Sequence, residues 1–177
     1  MTKNLVVTAM GADRPGIVSQ IARLASDCDC DIVDSRVALF GNEFTFAFML
    51  SGSWAAIAKI ESTLPALSAE LELLTIMKRT STHTPTHFAS RIEATFSGQD
   101  QRGTMKAITE FLAEKSLDLA SMKSHAETAN GEPTQQIQLS INVPNNLPLD
   151  TLESDITAFA HSLSLDCKFK LLTDNSE

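Results

Sequence analysis

Positions 9–18 read A-M-G-A-D-R-P-G-I-V, which sets two glycines, a proline and an Asp-Arg pair between an apolar run and a helical pattern. Two readings of this stretch compete. In the first, Asp13 caps a helix, Pro15 supplies a preset φ in its first turn, and Gly11 permits a tight turn. That accounts poorly for Arg14 and Gly16, because glycine early in a helix has low propensity. In the second, the helix N-terminus offers unpaired N–H groups and partial positive charge to a carboxylate. Gly16 then lets a ligand reach the backbone, Arg14 steers or clamps an anion, and Asp13 holds an ammonium group. Carboxylate plus ammonium describes a free amino acid. Local chemistry leaves both readings standing.

Little else in the chain has the spacing of a reactive site. Cys28 and Cys30 have no His or further Cys near enough for a tetrahedral metal set, and Cys28 falls on an apolar helix face. His83 and His87 share a polar stretch, while His125 and His161 have no evident partners. Nucleotide-binding, nucleophile-elbow and zinc-protease motifs are missing, and no nucleophile has an adjacent base. We therefore expect no catalytic residues, no metal ligands and no cofactor. Asp34 and Arg36 share one side of a strand, where solvated or interfacial charge is the ordinary role.

The elements that must position the glycine loop follow from periodicity. Residues 5–10 read as a strand, and Ile17, Ile21, Leu24 and Cys28 keep helical spacing. Val33 to Leu39 and Phe44 to Leu50 alternate around a Gly41-Asn42 turn, forming a hairpin. Ser53 is placed to cap a helix bearing Trp54, Ile57, Ile60 and Leu64, and residues 71–77 close the unit as a strand. After a Thr- and Ser-rich break the same β-α-β-β-α-β order returns, with a second hairpin around Asn130-Gly131. Gly11, Asp13 and Gly16 match Gly98, Asp100 and Gly103 at a constant separation of 87, whereas Phe46, Phe48 and Leu50 match Ile137, Leu139 and Ile141 at 91. Four extra residues thus belong to the second hairpin, where insertion is cheapest. The second loop has Gln101, Arg102 and Thr104 in place of Arg14, Pro15 and Ile17, so a structural role is expected there.

This order defines an α+β chain of two ferredoxin-like units, each a four-stranded antiparallel sheet with two helices on one face. The expected domains are 1–80 and 88–177, joined by a linker at 81–87. Apolar residues such as Ala47 and Met49 on the side away from the helices lead us to expect the units to pack on each other or on another chain, so a homo-oligomer is open.

Composition narrows the function classes. Of 177 residues, 43% are hydrophobic and 20% charged, which suits a buried core. Net charge is −8, with seven basic and nine acidic residues before Thr80 and seven and thirteen from there on. Nucleic acid is recognised by clustered Lys and Arg, so direct DNA contact is not expected. Three cysteines, no signal-like N-terminus and no long apolar run point to a reducing cytoplasmic setting away from membranes.

G-A-D-R-P-G-I-V opening a helix in a β-α-β-β-α-β unit resembles the ACT domain, a small amino-acid-sensing module. The further segments C-D-C-D-I-V-D-S-R, E-F-T-F, L-S-G-S-W-A-A-I, I-E-S-T-L-P and M-K-R-T extend the likeness across residues 5–80 to a family of tandem-ACT repressors of the glycine cleavage operon. That resemblance implies a regulator without its own DNA-binding domain, which holds a LysR-type activator protein in a repressing state and is relieved by glycine. It also implies a ligand site at Gly11, Ala12, Asp13, Arg14, Pro15, Gly16 and Ile17, with Asp34 and Ser35 as further contributors. The alternative from the same chemistry is an amino-acid-sensing regulatory subunit of a biosynthetic enzyme.

Overall fold

The computed structural model describes residues 3–81, 88 and 90–172, apart from the side chain of Ala129. The first half runs β1 (Lys3–Ala12), α1 (Ile17–Asp27), β2 (Asp31–Phe40), β3 (Glu43–Gly52), α2 (Trp54–Glu70) and β4 (Leu74–Thr80). The second half repeats the order as β5 (Ser90–Gln99), α3 (Thr104–Glu114), β6 (Asp118–Ala129), β7 (Glu132–Val143), α4 (Leu149–Ser162) and β8 (Asp166–Leu172). Each half builds its own four-stranded antiparallel sheet, ordered β2-β3-β1-β4 and β6-β7-β5-β8. The chain divides into two compact units, Met1–Thr84 and Pro85–Glu177. Of the expected linker at 81–87, only Ser81 lies within the described residues.

Strand alternation decides which face the helices cover. In the first unit, Leu5, Val7 and Ala9 of β1 and Phe44, Phe46, Phe48 and Leu50 of β3 are buried with Ile17 and Ile21 of α1 and Ile57, Ile60 and Leu64 of α2. The Phe46 and Phe48 rings stack at 4.5 Å. In the second unit Ile92, Ala94 and Phe96 face Ile137, Leu139 and Ile141 beneath Ile108, Leu112, Leu152 and Ile156. Each such Val, Leu, Ile or Phe side chain contributes about 1.5–3 kcal/mol by leaving water. Ser53 caps α2, its Oγ accepting from the Ala56 N–H at 3.1 Å. Trp54 leaves the expected buried face and is 61% exposed, with the Arg79 guanidinium 5.5 Å from its ring. Leu71 ends α2 instead of opening β4, which starts at Leu74.

The duplication extends to irregularities. A bulge interrupts β2 between Ile32 and Asp34 and β6 between Leu119 and Ser121, at matching positions. The hairpin strands are ten residues long in the first unit and twelve in the second, so the four extra residues add two to each strand before the Asn130-Gly131 turn. All four helices end on a residue in the left-handed region: Asp29, Glu72, Ser116 and Ser164, with φ of 57°, 54°, 55° and 57°. The next N–H bonds back to the helix in each case, as Cys30 N to Ala25 O and Leu73 N to Ser68 O show at 2.9 and 2.8 Å.

Candidate ligand-binding loop

The loop between β1 and α1 starts from a close approach. A Cβ on Gly11 would lie 2.8 Å from Leu73 Cδ2 and 2.9 Å from Glu72 O, so β1 meets the α2–β4 turn only with glycine there. Gly98 meets Leu165 in the same way, with a would-be contact of 2.7 Å. Beyond it, the Asp13 N–H donates to Asn42 O at 3.2 Å, tying the loop to the hairpin turn; Asp100 N donates to Pro133 O at 2.9 Å in the second unit. Gly11 and the Asp13 backbone therefore fix the path of the loop.

The helix start differs from the capping expectation. α1 begins at Ile17, and its N-cap is Gly16 at φ 91°, with no side-chain cap. Asp13 is thus three residues too early to cap, and Pro15 lies before the N-cap instead of in the first turn. Positive φ at the N-cap explains the glycine that low helix propensity could not. Gly103 repeats this at φ 94°, and a Cβ at Gly16 or Gly103 would meet nothing within 4 Å. The first-turn N–H groups of α1 have no intrahelical acceptors. Ala12, Asp13, Arg14, Pro15 and Gly16 are exposed, whereas the Ile17 side chain is buried, leaving Ile17 only its backbone to offer.

Arg14 reaches across to the α2–β4 turn. Its Nη2 donates to Leu71 O and lies 3.7 Å from Glu72 Oε2, with the Arg14 side chain 46% exposed. A guanidinium has five N–H donors, so one bond to a carbonyl does not exhaust it. The second unit is built otherwise at this point. Thr104 Oγ1 donates to Gln101 O at 2.9 Å and accepts from Gln135 Nε2 at 3.0 Å, so its helix start is laced by its own side chains.

Asp34 and Ser35 are not brought to the loop. Register sets them level with Val6 and Val7, whereas Gly11 is level with Phe44 and Leu39 at the far end of the sheet. They line a separate depression of about 260 Å³ with Val6, Arg36, Ala47, Phe48 and Met49. There Arg36 Nη1 donates to Asp34 Oδ1 and, at 2.9 Å, to Ser35 O. The role of Leu71 and Glu72 as partners of Arg14 had no local signal, since 57 residues separate Arg14 from Leu71. Among the described residues no group of three or more His, Cys, Asp or Glu is placed to hold a metal, and no helix is long and apolar enough to cross a membrane. Burial pushes the Cys30 thiol up, with Cys28, Asp29 and Asp31 acting in the same direction, and the Sγ donates to Cys28 O at 3.7 Å. It is a packed thiol, not a reactive one.

Two β-α-β-β-α-β units, each with a glycine loop leading from its first strand into its first helix, define a tandem ACT-domain protein, and the ACT domain model matches residues 3–78. The chain is 38% identical over 162 residues to the glycine cleavage system transcriptional repressor of Escherichia coli K12, covering 90% of this chain and 85% of that one. A crystal structure provisionally described as a glycine cleavage system transcriptional repressor superposes with a TM-score of 0.77 at 34% identity, over 98% of this chain and 99% of that one. A protein of unknown role from Galdieria sulphuraria shares the fold at a TM-score of 0.76 and 20% identity, over 98% of this chain and 100% of that one. The chain belongs to the family of glycine cleavage system transcriptional repressors. It is a regulator and not an enzyme.

Proposed function

We propose that the chain represses the glycine cleavage operon by binding a LysR-type activator protein in the cytoplasm, and that glycine bound at the α1 start relieves the repression. Family membership over nine-tenths of the chain carries this reading. The net charge of −8 supports action through a protein, since a phosphate backbone would repel such a surface.

The charges at the loop support glycine as its ligand. Its carboxylate would take the first-turn N–H groups of α1 and the positive end of the helix dipole. Asp13 would face the ammonium, and Arg14 would add a charge-assisted bond to the carboxylate while anchored on Leu71 O. Gly11, Ala12, Pro15 and Gly16 shape that approach, and Ile17 contributes its N–H. Because Arg14 bridges to the α2–β4 turn, a ligand on Arg14 would be felt by two segments of the unit.

The test mixes the purified chain with a purified LysR-type activator and operator DNA, with and without glycine. A ternary complex that glycine weakens is expected. Operator binding by the chain alone at physiological salt, or copurification with a biosynthetic enzyme in place of the activator, would overturn the reading.

A further inference from the structure

The helix-free face of the first sheet is apolar at its centre and along β4. Rows across this face run from β2 through β3 and β1 to β4. One row reads Asp34, Met49, Val6, Lys78. Four residues further along β2 another reads Ala38, Thr45, Met10, Leu74, and Ile76 lies between Lys78 and Leu74 on β4. Val6, Met10, Leu74 and Ile76 are all exposed, and contiguous apolar surface of this kind marks a contact with another molecule. The helix-free face of the second unit is polar, with Glu93 and Thr95 beside Ser140 and Gln138, so it supplies no apolar complement. An identical face on a second copy does.

Symmetry and charge select the arrangement. Two sheets packed face to face keep their strands within about 30° of each other, so a two-fold axis runs either along the strands or across them. An axis along the strands lays β2 over the partner's β4 and β3 over the partner's β1. Asp34 then meets the partner's Lys78, and Met49 meets the partner's Val6. Small residues also fall against large ones, Ala38 against the partner's Leu74 and Thr45 against the partner's Met10. An axis across the strands, through the row of Arg36 and Ile76, sets Arg36 on its own copy and Lys78 on the partner's Leu74. Like charges at close range oppose that second choice.

We propose that this face joins two copies of the chain in a two-fold dimer whose axis runs along the strands. Lys78 makes no ion pair among the described residues, and the Asp34 carboxylate, although it holds Arg36, has acceptor sites to spare. The depression of about 260 Å³ that Val6, Asp34, Arg36, Ala47 and Met49 line receives the partner's Ile76 and the stem of the partner's Lys78. Apolar contact supplies the affinity, and the Asp34–Lys78 pairs at the rim fix the register. Pairing needs neither glycine nor the activator, so its failure would leave the proposed function standing.

The test is sedimentation equilibrium of the full chain from micromolar to submillimolar concentration, where wild type is expected to reach a dimer. Leu74→Asp, at a side chain exposed in the single chain, should raise the dissociation constant by about tenfold or more and leave the circular dichroism spectrum unchanged. Asp34→Lys and Lys78→Asp should each weaken the dimer by about tenfold, because both rim contacts then set like charge on like charge. Mixed one to one, these two variants should recover the wild-type affinity, since both contacts in the mixed dimer join opposite charges. That recovery also reports that both variants are folded. A wild-type monomer at every concentration, as cover by another part of the chain or by a different protein would give, would overturn the proposal. Wild-type affinity in Leu74→Asp, or no recovery in the mixture, would overturn it as well.

Discussion

The two units share a backbone plan, but the helix-free faces of their sheets differ in chemistry. In the first, Val6, Thr8 and Met10 lie between Met49, Ala47 and Thr45 on one side and Lys78, Ile76 and Leu74 on the other. Leu74 and Ile76 are 72% and 74% exposed. In the second, the matching rows are Glu93, Thr95 and Ser97 beside Ser140, Gln138 and Gln136, with Arg91 and Asn142 one pair further out. Asp118 accepts from Asn142 at 2.8 Å and Asn142 from Arg91 at 2.8 Å, a polar ladder over three strands. What the fold needs has been kept in both units: Gly11 and Gly98 at the close approach, Gly16 and Gly103 at the helix start, and the helix-end turns. Beyond the exchange of core Phe46 and Phe48 for Ile137 and Leu139, what differs lies on surfaces, at the open face and at Arg14. An apolar exposed face marks contact with other molecules, whereas a laced polar face is satisfied in water.

Breaking the shared parts should hurt both units alike. Phe46→Ala and its counterpart Ile137→Ala should each cost about 2–5 kcal/mol in urea denaturation, with Phe46 at the upper end because its ring stacks on Phe48. Gly11→Ala and Gly98→Ala should cost about 1–3 kcal/mol, with Gly11 at the upper end because its new methyl meets the Glu72 carbonyl oxygen as well as Leu73, whereas at Gly98 the close contact is the movable end of Leu165. Gly16→Ala and Gly103→Ala, clear of contacts but held at positive φ, should cost about 1–2 kcal/mol. Equal losses at 16 and 103 would show a purely conformational role for both glycines in stability. The sign reverses at the helix ends: Ser116→Gly and Ser164→Gly should stabilise by about 0.5–1 kcal/mol, read as a raised melting temperature. Smallest of all, Ile76→Thr on the open face should change the stability of the isolated chain by no more than about 0.5 kcal/mol.

Much of this layout was legible from residues alone, because period-2 and period-3.6 patterns survive wherever a face is buried. The four-residue hairpin insertion, the Ser53 cap and the buried Phe46 and Ile137 positions follow that logic. The helix start did not. Asp13 and Pro15 resemble a standard cap and first turn, and only the φ of 91° at Gly16 shifts the start to Ile17. Trp54 shows the limit of periodicity, since its helical spacing suits burial but its position at the first turn leaves it outside, under Arg79. The partner of Arg14 was out of reach as well, because a carbonyl on a distant turn leaves no trace in local spacing. Asp34 and Ser35 share a unit with the loop, yet sheet register alone decides that they open onto a different depression.

Arg14 is the feature that separates the first loop from its copy, and calorimetric titration with glycine tests it most directly. Wild type should bind glycine with measurable heat at millimolar concentration, and Arg14→Ala should weaken binding by about 1–3 kcal/mol, the loss of one charge-assisted bond. Gln101→Ala in the second loop should leave glycine affinity unchanged. No heat with wild-type protein at millimolar glycine, or equal affinity in Arg14→Ala, would contradict a glycine site at the start of α1.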